Sequence, residues 1–425
     1  MNNPQNQANF NGLGLAPKLL EILAHKGFAT PTPIQQQAIP VAVSGKDVMG
    51  IAQTGTGKTL AFGLPMLQTI ARTKVLGLVV LPTRELALQV NESLENIGKS
   101  LGLKTSVLIG GESMHRQLAT LRRGPHIIIA TPGRLIDHLE QKTVRLDKVG
   151  ILVLDEADRM LDMGFAPQLK QIMKTVPASR QTMLFSATMP AEIINIANSY
   201  MKLPVRVEVA PQGTTINAVT QEIIFVQKPE KLDQLKKILT QYTGSTLIFC
   251  RTKFGAKKIA HVIRSLGHTS AEIHSNRSLN QRIEALQGFK LGKYRVLVAT
   301  DIAARGIDVT GIELVLNYDL PENPSDYVHR IGRTGRAGMT GHAISLATPD
   351  QQRDVRDIER LIKKQLPVSK AVPVPFSERV VASSFEAPRQ ERGGRTNRFA
   401  KTSRRPGGFS HPRGGRFMAR RQAWR

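Results

Sequence analysis

The sequence predicts an α/β protein of two three-layer domains with parallel sheets, joined by a flexible linker and followed by a disordered basic tail. Three observations carry this. Short apolar, β-rich runs alternate with longer helical patterns along most of the 425 residues, as parallel strands with crossover helices require. The alternation falls into two series, separated by the polar, Pro- and Gly-containing stretch 210–218, which has linker composition. From about Val368 the apolar periodicity stops.

In the first series, strands are expected at Asp47–Ala52, Leu76–Leu81, Thr105–Ile109, His126–Ala130, Ile151–Leu154, Thr182–Phe185 and Val205–Val209. In the second they fall at Gln221–Val226, Thr246–Phe249, Ser270–Ile273, Arg295–Ala299, Leu314–Tyr318 and Ala343–Leu346. Helical patterns such as Arg84–Leu101 and Met114–Arg122 lie between them. Domains are therefore expected over 1–209 and 219–366, with the tail over 367–425.

Charge points to a partner. The chain has 59 Lys and Arg against 33 Asp and Glu, a net charge of +26, which favours a polyanion. The single cysteine, Cys250, excludes an intramolecular disulfide framework and a Cys-based zinc site and fits a reducing cytoplasm. The opening MNNPQNQANF lacks the basic and apolar regions of a secretory signal, and no apolar run reaches the roughly 18 residues of a membrane span. A cytoplasmic protein without membrane contact is expected. From Lys370 to Arg425 there are 14 Lys and Arg and 3 Asp and Glu, so the tail supplies +11 of the net charge. Too little apolar surface is present for it to fold alone. Phe399, Phe409, Phe417 and Trp424 among the arginines suit a nucleic-acid arm, with Arg for phosphates and aromatic rings for bases; a merely solubilising tail is the simpler alternative.

The stretch AQTGTGKT follows an expected strand and precedes an expected helix, the setting a phosphate-binding loop needs. Its residues Ala52, Gln53, Thr54, Gly55, Thr56, Gly57, Lys58 and Thr59 are the candidate ATP-phosphate site. Gly55 and Gly57 let backbone N–H groups turn inward at an anion, and the following helix adds its positive end. Lys58 would reach the β- and γ-phosphates and Thr59 would ligate Mg²⁺. Ala52 stands where the usual pattern has Gly.

In GILVLDEADRM an apolar strand releases three acids at its carboxyl end, the edge where α/β sheets bind ligands. Asp155 suits Mg²⁺ held through water, at the end of a strand expected beside the one feeding the loop. Glu156 suits orienting or deprotonating the attacking water. Helix-dipole preference would explain one such acid but not the set. In HRIGRTGRAG, Arg330, Arg333 and Arg336 recur every third residue, although Gly332 and Gly335 make a regular helix costly there. They are candidate arginine fingers that complete the site from the second domain and stabilise charge on the γ-phosphoryl oxygens, so hydrolysis would require domain closure.

AQTGTGKT, PTREL, TPGR, DEAD, SAT, ATDIAARGID and HRIGRTGR occur in that order. Over roughly Phe10 to Leu366 the chain resembles the DEAD-box ATP-dependent RNA helicases, and FNGLGL…KGFATPTPIQQQAIP is most similar to their bacterial RhlE-type branch. The resemblance implies RecA-like domains and an RNA-stimulated ATPase. It implies that Gln35 and Phe28 recognise adenine, within a segment of about 8–36 that Phe10 supports. Asp308 would contact the ribose, and Arg333 and Arg336 the γ-phosphate. Asp158, Ser186, Thr188 and His329 would couple the ATP and RNA sites, His329 bridging to Asp158. RNA contacts would come from Thr83, Arg84, Gly110, Gly111, Thr131 and Arg134 on the first domain and Arg251, Arg282 and Thr300 on the second, on phosphates and 2′-hydroxyls and thus independent of base sequence. HSNRSLNQR departs from the family pattern, with Ser275 for Gly and Leu279 for Gln, which puts second-domain RNA contacts or coupling in question.

The expected function is ATP-dependent unwinding of short RNA duplexes, or remodelling of RNA–protein complexes, with the tail binding structured RNA. Ribosomal precursors and RNA-degradation machinery are compatible partners. The alternatives are an RNA clamp or annealing chaperone acting through the tail, and a DNA-duplex translocase, which DEAD and PTPIQ disfavour.

Overall fold

Runs such as Ile127–Ala130 and Leu314–Asn317 are buried at every position, as strands covered on both faces must be. The computed structural model describes residues 9–52, 55–209, 219–301, 309, 311–335 and 340–369. Gln53, Thr54, Asp308, Arg336, the linker 210–218 and the tail from Lys370 onward lie outside these residues.

The strands are β1 Val48–Ile51, β2 Leu76–Val80, β3 Thr105–Leu108, β4 Ile127–Ala130, β5 Val149–Leu154, β6 Gln181–Ser186 and β7 Val205–Glu208 in the first domain. The second holds β8 Val219–Phe225, β9 Thr246–Phe249, β10 Ser270–Ile273, β11 Val296–Ala299, β12 Leu314–Asn317, β13 Gly341–Ala347 and β14 Val368–Ser369. They form two seven-stranded sheets, ordered β3-β4-β2-β5-β6-β1-β7 and β10-β11-β9-β12-β13-β8-β14, with every pair parallel. Each sheet has an apolar cluster on either face: Phe62, Met66 and Phe185 on one side of the first sheet, Leu135, Met160 and Ile172 on the other. The two-domain α/β architecture is thus present.

Three expectations are corrected. β6 lies between β1 and β5, so the acid-bearing strand is one removed from the strand feeding the phosphate loop; sequence order carries no information about which crossover passes over which neighbour. Val368 and Ser369 are not tail. They form the edge strand β14 on β8, preceded by a bond from the Ile223 N–H to the Pro367 carbonyl of 2.9 Å, a pairing too short to leave a periodic signal. Arg330 is no finger. Its guanidinium grips Asp301 with two bonds of 2.6 and 2.7 Å, donates to Asn317 Oδ1 and the Asp319 carbonyl, and lies over the Phe249 ring. It is a buried cross-brace of the second domain.

Candidate functional site

Parallel strands all deliver their carboxyl ends to one edge, and both sets of predicted residues collect there. Lys58 opens the helix Lys58–Thr73 directly after Gly57, whose φ of 92° only glycine adopts readily. A Cβ at Gly57 would also collide with the Gln35 amide. Gln35 is buried; its Oε1 accepts from the Thr32 N–H at 2.9 Å and its Nε2 donates to the Gly57 carbonyl at 3.0 Å. The segment expected to recognise adenine therefore grips the expected phosphate loop itself, and among the described residues the Gln35 amide keeps one hydrogen and one acceptor position in reserve.

Between these elements lies a cavity of about 530 Å³, lined by Phe28, Gly55, Gly57, Lys58, Thr59, Asp155 and Glu156 among others. Phe28 is 40 % exposed at it. The buried Lys58 ammonium stands 3.9 Å from Asp155 Oδ1 and makes no hydrogen bond among the described residues. Asp155 also accepts from the Glu156 N–H at 2.9 Å. Its pKa is pushed up to about 6, chiefly by burial, with Lys58 opposing and Glu156 adding to the rise. Glu156 sits in the left-handed region at φ 51°, a conformation that non-glycine residues hold only where the surroundings enforce it.

Asp158, three residues on, is driven the other way. Burial works against its charge, but His329, Lys58 and the hydroxyl and N–H of Thr188 outweigh it and lower the pKa. Asp158 Oδ2 accepts from the Ala187 N–H at 3.2 Å and from both the N–H and the hydroxyl of Thr188 at 2.8 Å, while its own N–H donates to Ser186 Oγ at 3.2 Å. DEAD and SAT are one hydrogen-bonded unit, and Ala52 joins it through a bond from its N–H to the Ser186 carbonyl.

The second domain meets this unit. Burial lowers the His329 pKa, with Asp158 and Glu156 opposing and Arg159 and Arg333 adding to the fall. Arg333, past the helix Pro324–Ile331, is buried and donates from Nε to the His329 carbonyl at 3.2 Å. Ion pairs join the domains, among them Arg159 Nη1 to Asp326 Oδ1 at 3.2 Å and Arg282 Nη2 to Glu85 Oε2 at 2.8 Å. Arg282, expected at RNA, is here tied to the acid that follows Arg84. Glu85, Arg159 and Asp326 were not singled out from sequence. Glu85 and Arg159 sit inside PTREL and DEADRM, which is the one available hint.

The remaining predicted residues lie past strand ends of both sheets. Thr83 follows β2 and caps the helix Arg84–Gly98 by accepting from the Leu86 N–H. Arg84 lies against Gly110 and Gly111, after β3, where a Cβ at Gly111 would collide with its guanidinium. Thr131 follows β4, and Arg134 donates to the Glu112 carbonyl at 3.0 Å. In the second domain Arg251 follows β9, its N–H held by Asp319 at 3.0 Å, and Thr300 follows β11. Among the described residues no helix is long and apolar enough to cross a membrane.

Residues 32–196 match the family model for DEAD/DEAH box helicases and 228–338 that for the helicase conserved C-terminal domain. The chain is 44 % identical over 360 residues to the DEAD-box ATP-dependent RNA helicase CshA of Bacillus cereus, covering 84 % of this chain and 69 % of that one. It is 42 % identical over 404 residues to the ATP-dependent rRNA helicase RRP3 of Debaryomyces hansenii, covering 93 % and 85 %. The structure superposes on S. cerevisiae Dbp5 bound to RNA and ADP BeF3 with a TM-score of 0.78 at 30 % identity, over 85 % of this chain and 96 % of that one. With its phosphate loop, acid cluster and second-domain His and Arg brought to one edge, the chain belongs to the DEAD-box ATP-dependent RNA helicases.

Proposed function

We propose that this protein closes its two domains over ATP and single-stranded RNA, bending the strand so that a short duplex parts or a bound protein is displaced, and reopens after hydrolysis. The observation that carries this is the approach of His329 from the other domain to Asp158 and Glu156, beside the Lys58–Asp155 pair and with Arg333 bonded to the His329 carbonyl. Lys58 holds the β- and γ-phosphates, and its ammonium, buried and without a hydrogen bond among the described residues, fits that role. Glu156 accepts the proton of the attacking water. Arg333, with Arg336, bears on the γ-phosphoryl oxygens as charge develops. Gln35 and Phe28 take the adenine and Asp308 the ribose. Mg²⁺ fits beside Asp155, a buried carboxylate that gains from a cation; Thr59 and Asp155 would hold it through water, and it would neutralise phosphate charge. Asp158, Ser186, Thr188 and His329 carry the state of the nucleotide to the RNA face. There Thr83, Arg84, Gly110, Gly111, Thr131, Arg134, Arg251 and Thr300 hold the backbone, and Arg282 joins them or stays with Glu85. The opening segment supports the RhlE-type branch, the lone buried Cys250 a cytoplasmic setting, and ribosomal precursors or RNA-degradation machinery are the clients we favour.

ATPase stimulation by RNA and DNA strands of equal length, together with duplex unwinding, tests this reading; equal stimulation by both would overturn the RNA assignment. Gly111→Ala tests the face. Its φ of 79° costs an L-residue about 1–2 kcal/mol, and the new methyl displaces the Arg84 guanidinium. RNA affinity should fall about tenfold, in line with one charge-assisted contact, while ATP binding without RNA stays. Unchanged RNA affinity would remove Arg84 from the interface.

The +11 tail favours a second contribution, tethering of structured RNA or strand annealing. Truncation before Lys370 should weaken RNA affinity and flatten its salt dependence, because fewer counterions are released. An unchanged salt slope contradicts this, and annealing that survives loss of ATPase but disappears with the tail would favour the chaperone reading.

A further inference from the structure

At the opposite edge of the first sheet, where β1, β5, β6 and β7 begin, lies a second groove of about 630 Å³. Lys46, Arg72, Arg180 and Lys202 line it, and among the described residues the one acid there, Asp47, offsets a single one of these charges, acting on Arg180. Both carboxylate oxygens of Asp47 accept backbone N–H groups, from Thr182 and Lys202, each at 2.7 Å. Arg180 is 6 % exposed, and although it donates to the carbonyls of Pro177 and Tyr200, its buried Nε makes no hydrogen bond among the described residues. The groove is therefore cationic, with a buried donor in reserve. Beside it Leu203 is 94 % exposed at a φ of 42°, which suits glycine or asparagine better than leucine. The chain enforces that conformation from both sides. The Lys202 N–H is tied to Asp47 Oδ2, and the Val205 N–H to the Asp47 carbonyl at 2.9 Å. An apolar side chain is thus pinned outward next to four cations.

We propose that this groove docks an acidic peptide segment of another protein, whose carboxylates meet Lys46, Arg72, Arg180 and Lys202 and whose apolar side chain packs on Leu203. Charge selects the occupant. The protein's own tail, with 14 Lys and Arg against 3 Asp and Glu, would be repelled, as would a second copy of a chain carrying +26. RNA would find phosphate partners but no aromatic ring on which to stack a base, since none lines the groove among the described residues, and Leu203 offers it nothing. The ATP cavity and the RNA face lie at the strands' other ends, so this partner binds without competing with either.

The probe is a fluorescent 12-residue synthetic peptide of Glu and Leu, titrated against the full chain at several salt concentrations. Arg72→Glu with Lys202→Glu, and separately Leu203→Gly, should each weaken binding at least tenfold. Lys257→Glu with Lys258→Glu, an equal charge change on the second domain, should leave it within twofold. ATPase activity should be retained in all three, and saturating single-stranded RNA should not displace the peptide. Loss in both charge-reversal pairs alike would show nonspecific attraction to a basic protein and overturn the proposal. So would undiminished binding by Leu203→Gly, or an RNA 12-mer whose affinity, rather than the peptide's, follows the groove variants.

Discussion

Glu156→Gln is expected to lower RNA-stimulated ATP turnover by about 10²- to 10⁴-fold, the usual contribution of a positioned general base. The side chain lines the nucleotide cavity next to Asp155, and its backbone N–H is fastened to Asp155 Oδ1. The left-handed φ of 51° at this position turns the chain sharply between the end of β5 and the short helix Ala157–Asp162. Gln keeps the volume, the polarity and that backbone, so ATP and RNA affinities should stay within a few-fold; only the capacity to take a proton is lost. Single-turnover hydrolysis with ATP and RNA saturating checks this. Turnover within tenfold of the original would place the base elsewhere. One round of strand separation should survive, because closure rather than hydrolysis parts the duplex, and the variant should then remain on the RNA.

What the sequence disclosed depended on how local each signal was. The strands were readable because a buried parallel strand is a short apolar run between turn residues, and those limits fall within a few residues of β1–β13. The phosphate loop and the acids were readable because their chemistry is concentrated in eight and four consecutive residues. Partners distant in sequence were not. Arg159 and Asp326 are 167 residues apart, and Glu85 and Arg282 are 197; each alone is one charge among 92. Arg330 illustrates the converse. Its spacing from Arg333 matched a finger, yet the carbonyl of Asp319 and the side chains of Asp301 and Asn317 already satisfy it. The groove around Asp47 left no signal, because four strand beginnings and two helix ends contribute to it a few residues each.

Asp326→Ala is expected to disable closure while leaving each domain folded. Arg159 follows the DEAD acids directly and is 2 % exposed. Of its guanidinium nitrogens, Nη1 bonds Asp326 across the domain boundary, whereas Nε and Nη2 find no hydrogen-bond partner among the described residues. Burial already lowers the Arg159 pKa, and Asp326 is the strongest influence opposing that fall. Removing the acid leaves a buried cation without its main compensation, a change that costs about 3–5 kcal/mol. Only the closed arrangement bears the cost, because with the domains apart water can solvate Arg159. At about 1.4 kcal/mol per factor of ten, the closed population should fall at least a hundredfold, and RNA-stimulated turnover with it. ATP binding to the first domain alone should persist. Fluorescence transfer between labels on the two domains, read with ATP and RNA present, would report the loss of closure directly. Arg159→Met combined with Asp326→Leu should recover much of it, since an apolar pair of similar volume removes the uncompensated charge rather than exposing it. If Asp326→Ala closes normally, the pair contributes nothing to closure; if the double variant is no better than the single, Asp326 acts through another partner in the second domain.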